Sequence, residues 1–326
     1  HGGMQRVWVG FVCVLGCSDP AVVEDASVDA FAEDAGSDAS FDANVPDAGP
    51  VFGDVQRVAV LDTTTEGIAV GPYEGVPAVY AGLTNGDVVA VRADGTVTAV
   101  VTIPGVLGIA FRADGTFVTC GRADDSADAP GVIYAVGEDG VPTVIVERTP
   151  DDAAFGVTNY IGVAPDDSLV FTDSQADVVY RADADGSNVA VVTDTITYPN
   201  GLAFSADGSR LYVAGWEGST IHVADFDRET GTYSDFALFL EDVAAPDGIV
   251  VADDETLYFV TSSSGVVRSA GSGIEPVIPA RAVLIPANGV FGQGGLGTEW
   301  IYLSALGTAT LHRVYVGQSG PPLPIR

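Results

Sequence analysis

Short apolar runs recur along this chain, alternating with polar positions at a period of two and bounded by glycine, asparagine or aspartate. That is the pattern of half-buried strands joined by tight turns, and no long stretch carries the spacing of an amphipathic helix. Six of the runs open on a comparable position, in the contexts Glu66-Gly67-Ile68, Leu107-Gly108-Ile109, Asn159-Tyr160-Ile161, Asn200-Gly201-Leu202, Asp247-Gly248-Ile249 and Asn288-Gly289-Val290. A second strand-like run follows each, at 78–82, 116–120, 169–173, 211–215, 257–261 and 300–304. The openings are 41, 52, 41, 47 and 41 residues apart. Units of about 40–50 residues with four short strands apiece predict an all-β, six-bladed β-propeller.

The breaks are as regular as the runs. Asp114-Gly115, Asp207-Gly208, Asp166-Asp167 and Asp253-Asp254 separate the first strand of a unit from its second. Asp94-Gly95, Asp139-Gly140 and Asp185-Gly186 separate the third from the fourth. Asp-Gly supplies the positive φ of a tight hairpin. One run is out of place: residues 55–61 precede the first marked position and resemble an outermost strand. The last unit, meanwhile, ends in Gly320-Pro321-Pro322, which makes a poor fourth strand. The expectation is that the N-terminal strand completes the last blade and closes the ring, protecting its edges.

Charge narrows the range of partners. The formal net charge is −32 with only 13 Lys and Arg, which argues against nucleic acid and favours cations near the surface. Part of the acidity is local: residues 18–53 hold nine carboxylates and no Lys or Arg. Such a segment buries too little apolar surface to offset its chain entropy, so a disordered, self-repelling linker is expected over 18–53. The carboxylates there lack the glycine-turn spacing of a calcium loop.

Ahead of it, His1-Gly2-Gly3 reads as a remnant preceding Met4, followed by Arg6 and an apolar run ending in Val14-Leu15-Gly16-Cys17. The run is too short to span a bilayer as a helix and resembles a bacterial lipoprotein signal, with Cys17 as the lipidated residue. The expected organisation is leader 1–17, linker 18–53 and propeller 54–326. Its location would be the cell envelope, lipid-anchored and facing periplasm or exterior, with no other contact to a membrane. With Cys17 acylated and Cys13 removed, Cys120 alone remains, so no intramolecular disulfide is possible. Cys120 sits in an alternating strand and reads as a buried thiol rather than a nucleophile.

In a propeller the innermost strands converge on one mouth of the central channel. Five of the six marked residues carry oxygen: Glu66, Asn159, Asn200, Asp247 and Asn288, with Leu107 the exception. Carboxylate and amide oxygens without His or Cys form a hard-cation set suited to calcium, another divalent cation being possible. The competing account is that Asn-Gly and Asp-Gly are turn dipeptides, which covers Asn288 but gives no use for a glutamate in the same register.

Glu66-Gly67, Asn159 with Phe171-Thr172-Asp173, Pro199-Asn200-Gly201-Leu202 with Asp207-Gly208, and Pro246-Asp247-Gly248-Ile249 together resemble the gluconolactonase/regucalcin (senescence marker protein) family. The pattern overlaps strictosidine-synthase-like and paraoxonase-like relatives, and it spans the chain from about Val55 to Arg326. The resemblance implies a calcium-dependent six-bladed propeller that hydrolyses lactones or related esters. It implies Glu66, Asn200 and Asp247 as metal ligands, Asn159 as a ligand to metal or substrate, and Asp247 also as general base. Tyr160 follows Asn159 where the family often has aspartate, and Val157 stands where it carries a substrate-binding arginine. The loops after the second strands offer Arg122 as a replacement cation and Trp216 as a stacking surface.

The chemistry would be a metal-polarised carbonyl attacked by water. His222 and His312 fall on outer strands and are expected to be structural. The expected partner is a small lactone or ester, bound by a monomer. Two other functions fit the same residues: a non-catalytic, metal-braced propeller that binds a partner through its rim, and a strictosidine-synthase-like or phosphotriesterase-like activity.

Overall fold

The computed structural model describes residues 49–322. The leader at 1–17, including Cys17, and the expected linker as far as residue 48 lie outside the described residues. The compact unit of the propeller begins at Val51. Gly53 N–H donates to the Tyr315 carbonyl at 2.9 Å, and the Arg268 guanidinium sits 4.7 Å over the Phe52 ring.

Six antiparallel blades make up the unit, five of four strands and one of five. Their innermost strands are Thr65–Tyr73, Ile109–Phe111, Thr158–Val163, Pro199–Phe204, Pro246–Val251 and Pro286–Phe291. The second strands are Val76–Leu83, Phe117–Arg122, Leu169–Asp173, Arg210–Gly215, Leu257–Thr261 and Trp300–Ala305. Among the described residues the only helical element is the 3-10 turn Gly294–Leu296. The sixth blade contains Thr310–Tyr315 as its third strand, and Val55–Val60 pairs antiparallel with it as the fourth. The 47-residue spacing has a visible cause in blade 4, where the long strand Thr220–Asp227 carries the extra short strand Thr232–Tyr233 beside Ala237–Leu240.

The turn chemistry works as the dipeptides predict. Gly95, Gly115, Gly140, Gly186 and Gly208 all have positive φ. Where glycine is missing, Asp167 (φ 68°) and Glu255 (φ 67°) take the left-handed conformation instead. An aspartate accepts a backbone N–H two residues on, as Asp114 does from Thr116 at 2.9 Å and Asp207 from Ser209 at 2.9 Å.

The core is divided into six clusters, one in each interface between blades. The cluster between blades 2 and 3 holds Phe155, Phe171 and Tyr180, with Phe155 edge-on to both of the others. Every blade thus buries its two faces against its neighbours, and the inner strands are held around a common axis.

Candidate functional site

The marked residues share a backbone device. In blade 1, Thr65 pairs with Leu83 but Ile68 pairs with Ala81, so the inner strand carries one extra residue. The same irregularity falls between Thr158 and Ile161, Pro199 and Leu202, Pro246 and Gly248, and Pro286 and Gly289. These bulges contain Glu66, Asn159, Asn200, Asp247 and Asn288. Blade 2, whose marked residue is Leu107, pairs regularly from Ile109 to Phe111. A bulge re-aims a side chain that ordinary pleating would direct elsewhere. Three bulged strands are also entered through strained backbone: Tyr198 (φ 48°), Ala245 (φ 48°) and Ile285 (φ 49°) each stand immediately before the opening proline.

The turn-dipeptide account does not hold for these positions. Gly67, Gly201, Gly248 and Gly289 lie within strands, and none has positive φ. Their lack of a side chain serves close approach instead. A Cβ at Gly67 would collide with the Leu107 carbonyl, and one at Gly201 with the Asp247 carbonyl. At Gly248 it would stand 2.6 Å from Asn288 Oδ1.

These approaches form a closed circuit. Gly67 abuts Leu107, and Gly108 N–H donates to the Asn159 carbonyl at 2.8 Å. Tyr160 N–H donates to Thr172 Oγ1 at 3.0 Å, whose hydroxyl donates to the Asn200 carbonyl at 3.0 Å. Gly201 abuts Asp247, and Gly248 abuts Asn288. Asn288 Nδ2 then donates to the Glu66 carbonyl at 3.3 Å. Glu66, Asn159, Asn200 and Asp247, the four residues expected to hold metal, therefore belong to one ring.

That ring is rich in unpaired acceptors. Oδ1 of Asn159, Asn200, Asp247 and Asn288 is buried in each case without a hydrogen-bond partner in the protein. Burial pushes the Glu66 carboxyl up from 4.5 to about 7. Asp247 is raised well above the usual carboxylate range by burial first and by the Glu66 charge second. Tyr160 is likewise raised by burial, with Asp247 adding to it. Further along the inner strands lies a cavity of about 300 Å³, lined by Val70, Phe111, Phe204, Val251 and Phe291 among others. Apolar walls on one side and the packed ring on the other account for the desolvation. Among the described residues no three His, Cys, Asp or Glu side chains converge as a metal cluster. The set has two carboxylates, and its remaining oxygens are amides, so it fits a hard cation and not a soft one.

Several supports lie outside the marked positions. Thr172 and Ser304 are fully buried hydroxyls that bridge blades: each accepts from a bulge N–H and donates to the next blade's marked carbonyl. Asp173 is fully buried and accepts from Gly156 N–H at 2.7 Å, Val157 N–H at 2.9 Å and Ala176 N–H at 3.2 Å. It pins the segment that leads into Asn159. The signal was a hydroxyl or carboxylate at the end of an otherwise apolar second strand, which only the strand pairing explains.

Of the rim candidates, Trp216 follows the second strand of blade 4 and packs 5.5 Å from Tyr198, two residues before Asn200. The Arg122 stem passes over Gly105, and its Nη1 donates to the Ala127 carbonyl at 2.5 Å. That places it against the Pro104-Gly105 segment that leads to Leu107. Cys120 is buried, and burial pushes its thiol well up, as expected for a core residue. His222 and His312 lie on third strands, where burial lowers both.

A six-bladed propeller whose mouth is ringed by bulge-borne oxygens defines a recognisable class of protein. The model of the SMP-30/Gluconolactonase/LRE-like region matches residues 78–301, and the chain belongs to that family. It is 27% identical over 153 residues to the pentonolactonase XacC of Haloferax volcanii, covering 46% of this chain. The chain spans about half the length of that relative, 47%. Among solved structures, a gluconolactonase from Xanthomonas campestris superposes with a TM-score of 0.67 at 24% identity, over 80% of this chain and 89% of that one. Regucalcin from Agrobacterium tumefaciens, a calcium-binding protein, gives 0.65 at 15% identity, over 81% and 94%. Likeness at these identities carries the fold.

Proposed function

We propose that the propeller hydrolyses lactones or related esters with a divalent cation, calcium foremost, at the ringed mouth of its channel. One observation carries this reading: buried, unpaired acceptor oxygens from separate blades share one small ring with two carboxylates that burial has pushed up. Desolvated acceptors with no donors are costly to leave alone, and a hard cation answers all of them at once. Glu66, Asn200 and Asp247 would hold it, with Asn159 beside them. Membership of the family and the names of its lactonase relatives support the substrate class.

When bound, the cation supplies Lewis acidity toward a substrate carbonyl oxygen. The chain's own residues do the rest. Asp247, whose carboxyl burial raises above the usual carboxylate range, would stand beside the cation to orient a water and accept its proton. Asn159 presents an amide to the substrate or its oxyanion. Tyr198 and Trp216 form an aromatic pair next to Asn200, and Arg122 ends the second strand of blade 2.

Asp247→Asn keeps an oxygen for the ion and removes the base. The expected result is retained calcium binding by calorimetry with turnover of a lactone and aryl-ester panel abolished. A wild type that binds calcium yet turns over nothing in the panel, organophosphates included, would instead mark the rim as a binding surface.

A further inference from the structure

We infer that Asn288, on the sixth blade, is a direct oxygen ligand to the cation, beyond the four residues the family pattern marks. The inference rests on the metal site proposed above and extends it to a fifth blade. Asn288 shares the bulge register of Glu66, Asn159, Asn200 and Asp247, and it is buried to 1% exposure. Its Oδ1 has no partner in the protein.

The amide cannot be read the other way round. Its second polar atom meets the backbone carbonyl of Glu66 at 3.3 Å, and a carbonyl only accepts, so that atom is the Nδ2 donor. Ser304 fixes the same arrangement from below: its Oγ accepts Asn288 N–H at 2.9 Å and donates to the Glu66 carbonyl at 2.6 Å. With Nδ2 and the backbone both held, Oδ1 is left against Gly248, the residue after Asp247, without a donor. A turn role is excluded by the strand conformation of Gly289. Asn288 is thus a held acceptor with nothing to accept from, packed between Gly248, the residue after Asp247, and the backbone carbonyl of Glu66. Two carboxylates and three amides would give calcium five protein oxygens, leaving one to three of its usual six to eight positions for water or substrate.

The test counts ligands directly. Europium(III) bound in place of calcium reports its coordinated waters through luminescence lifetimes in H2O and D2O. Asn288→Ala should add one water relative to wild type and weaken calcium binding by about tenfold in calorimetry. Asn288→Asp should leave the water count unchanged and bind calcium at least as tightly, and it serves if the alanine variant fails to fold. An unchanged count in Asn288→Ala overturns the inference, as does one added water in Asn288→Asp. If wild type binds neither ion, the whole metal site fails; if it binds both and only the Asn288 variants behave as wild type, the site stands without its fifth ligand.

Discussion

At the scale of single residues, the ring places acids where water is scarce. Glu66 has a folded-state value of about 7 against 4.5 for the free group, and Asp247 is also raised. A raised acid binds its proton more tightly when folded, so its favourable contribution is complete below about pH 4.5 and is lost as pH climbs through about 7. Without metal the protein should therefore melt at a lower temperature at about pH 8 than at about pH 5. Calcium competes with those protons, so its affinity should rise across the same window and the slope of stability should flatten or invert. Melting curves at both pH values, in chelator and in calcium, check this; equal melting in chelator would show that the ring's carboxylates are not desolvated. The oxygen-bearing residues were legible in the sequence because a period exposed them. Their consequences were not: that Asn159 and Asn200 present unpaired oxygens, or that Thr172 and Asp173 brace them, depends on neighbours remote in sequence.

At the scale of elements, the bulges turn a repeat into a site, and their glycines allow neighbouring backbones to touch. Gly67→Ala would press a methyl onto the Leu107 carbonyl, a backbone atom with little freedom to yield. The expected cost is about 3 kcal/mol in denaturant melts, with weaker calcium binding because the displaced residue is next to Glu66. Gly273→Ala, at a strand glycine with nothing within 4 Å and no positive φ, should be close to neutral. A Gly67→Ala variant as stable and as calcium-avid as wild type would mean that the approach is relieved by small shifts and does not position Glu66. The blades themselves were readable, since Asp-Gly turns and alternating runs are local signals. The bulges were not, because a bulge is a relation between two strands and leaves no composition of its own. The Asn-Gly and Asp-Gly pairs even suggested turns, and only their place within paired strands corrects that.

At the scale of the whole molecule, the six interfaces are similar in kind, and Val55–Val60 pairs with Thr310–Tyr315 in the sixth blade. Such a ring has no privileged seam apart from its centre. A cation held by Glu66, Asn159, Asn200 and Asp247 would join blades 1, 3, 4 and 5, so any opening of the circle would release it. Binding that exists only in the closed ring adds stability by mass action, about 2.7 kcal/mol at a free concentration one hundred times Kd. Calorimetry should thus show a single transition that moves upward with calcium and downward with chelator, with no separate early melting of one blade. An early calcium-insensitive transition would mean that part of the ring opens without disturbing the site. Unchanged melting in excess chelator, together with no metal in the purified protein, would remove the cation altogether. The buried oxygens would then have to be answered by water, and at four blades at once that leaves the mouth a wet, acidic cup instead of a braced one.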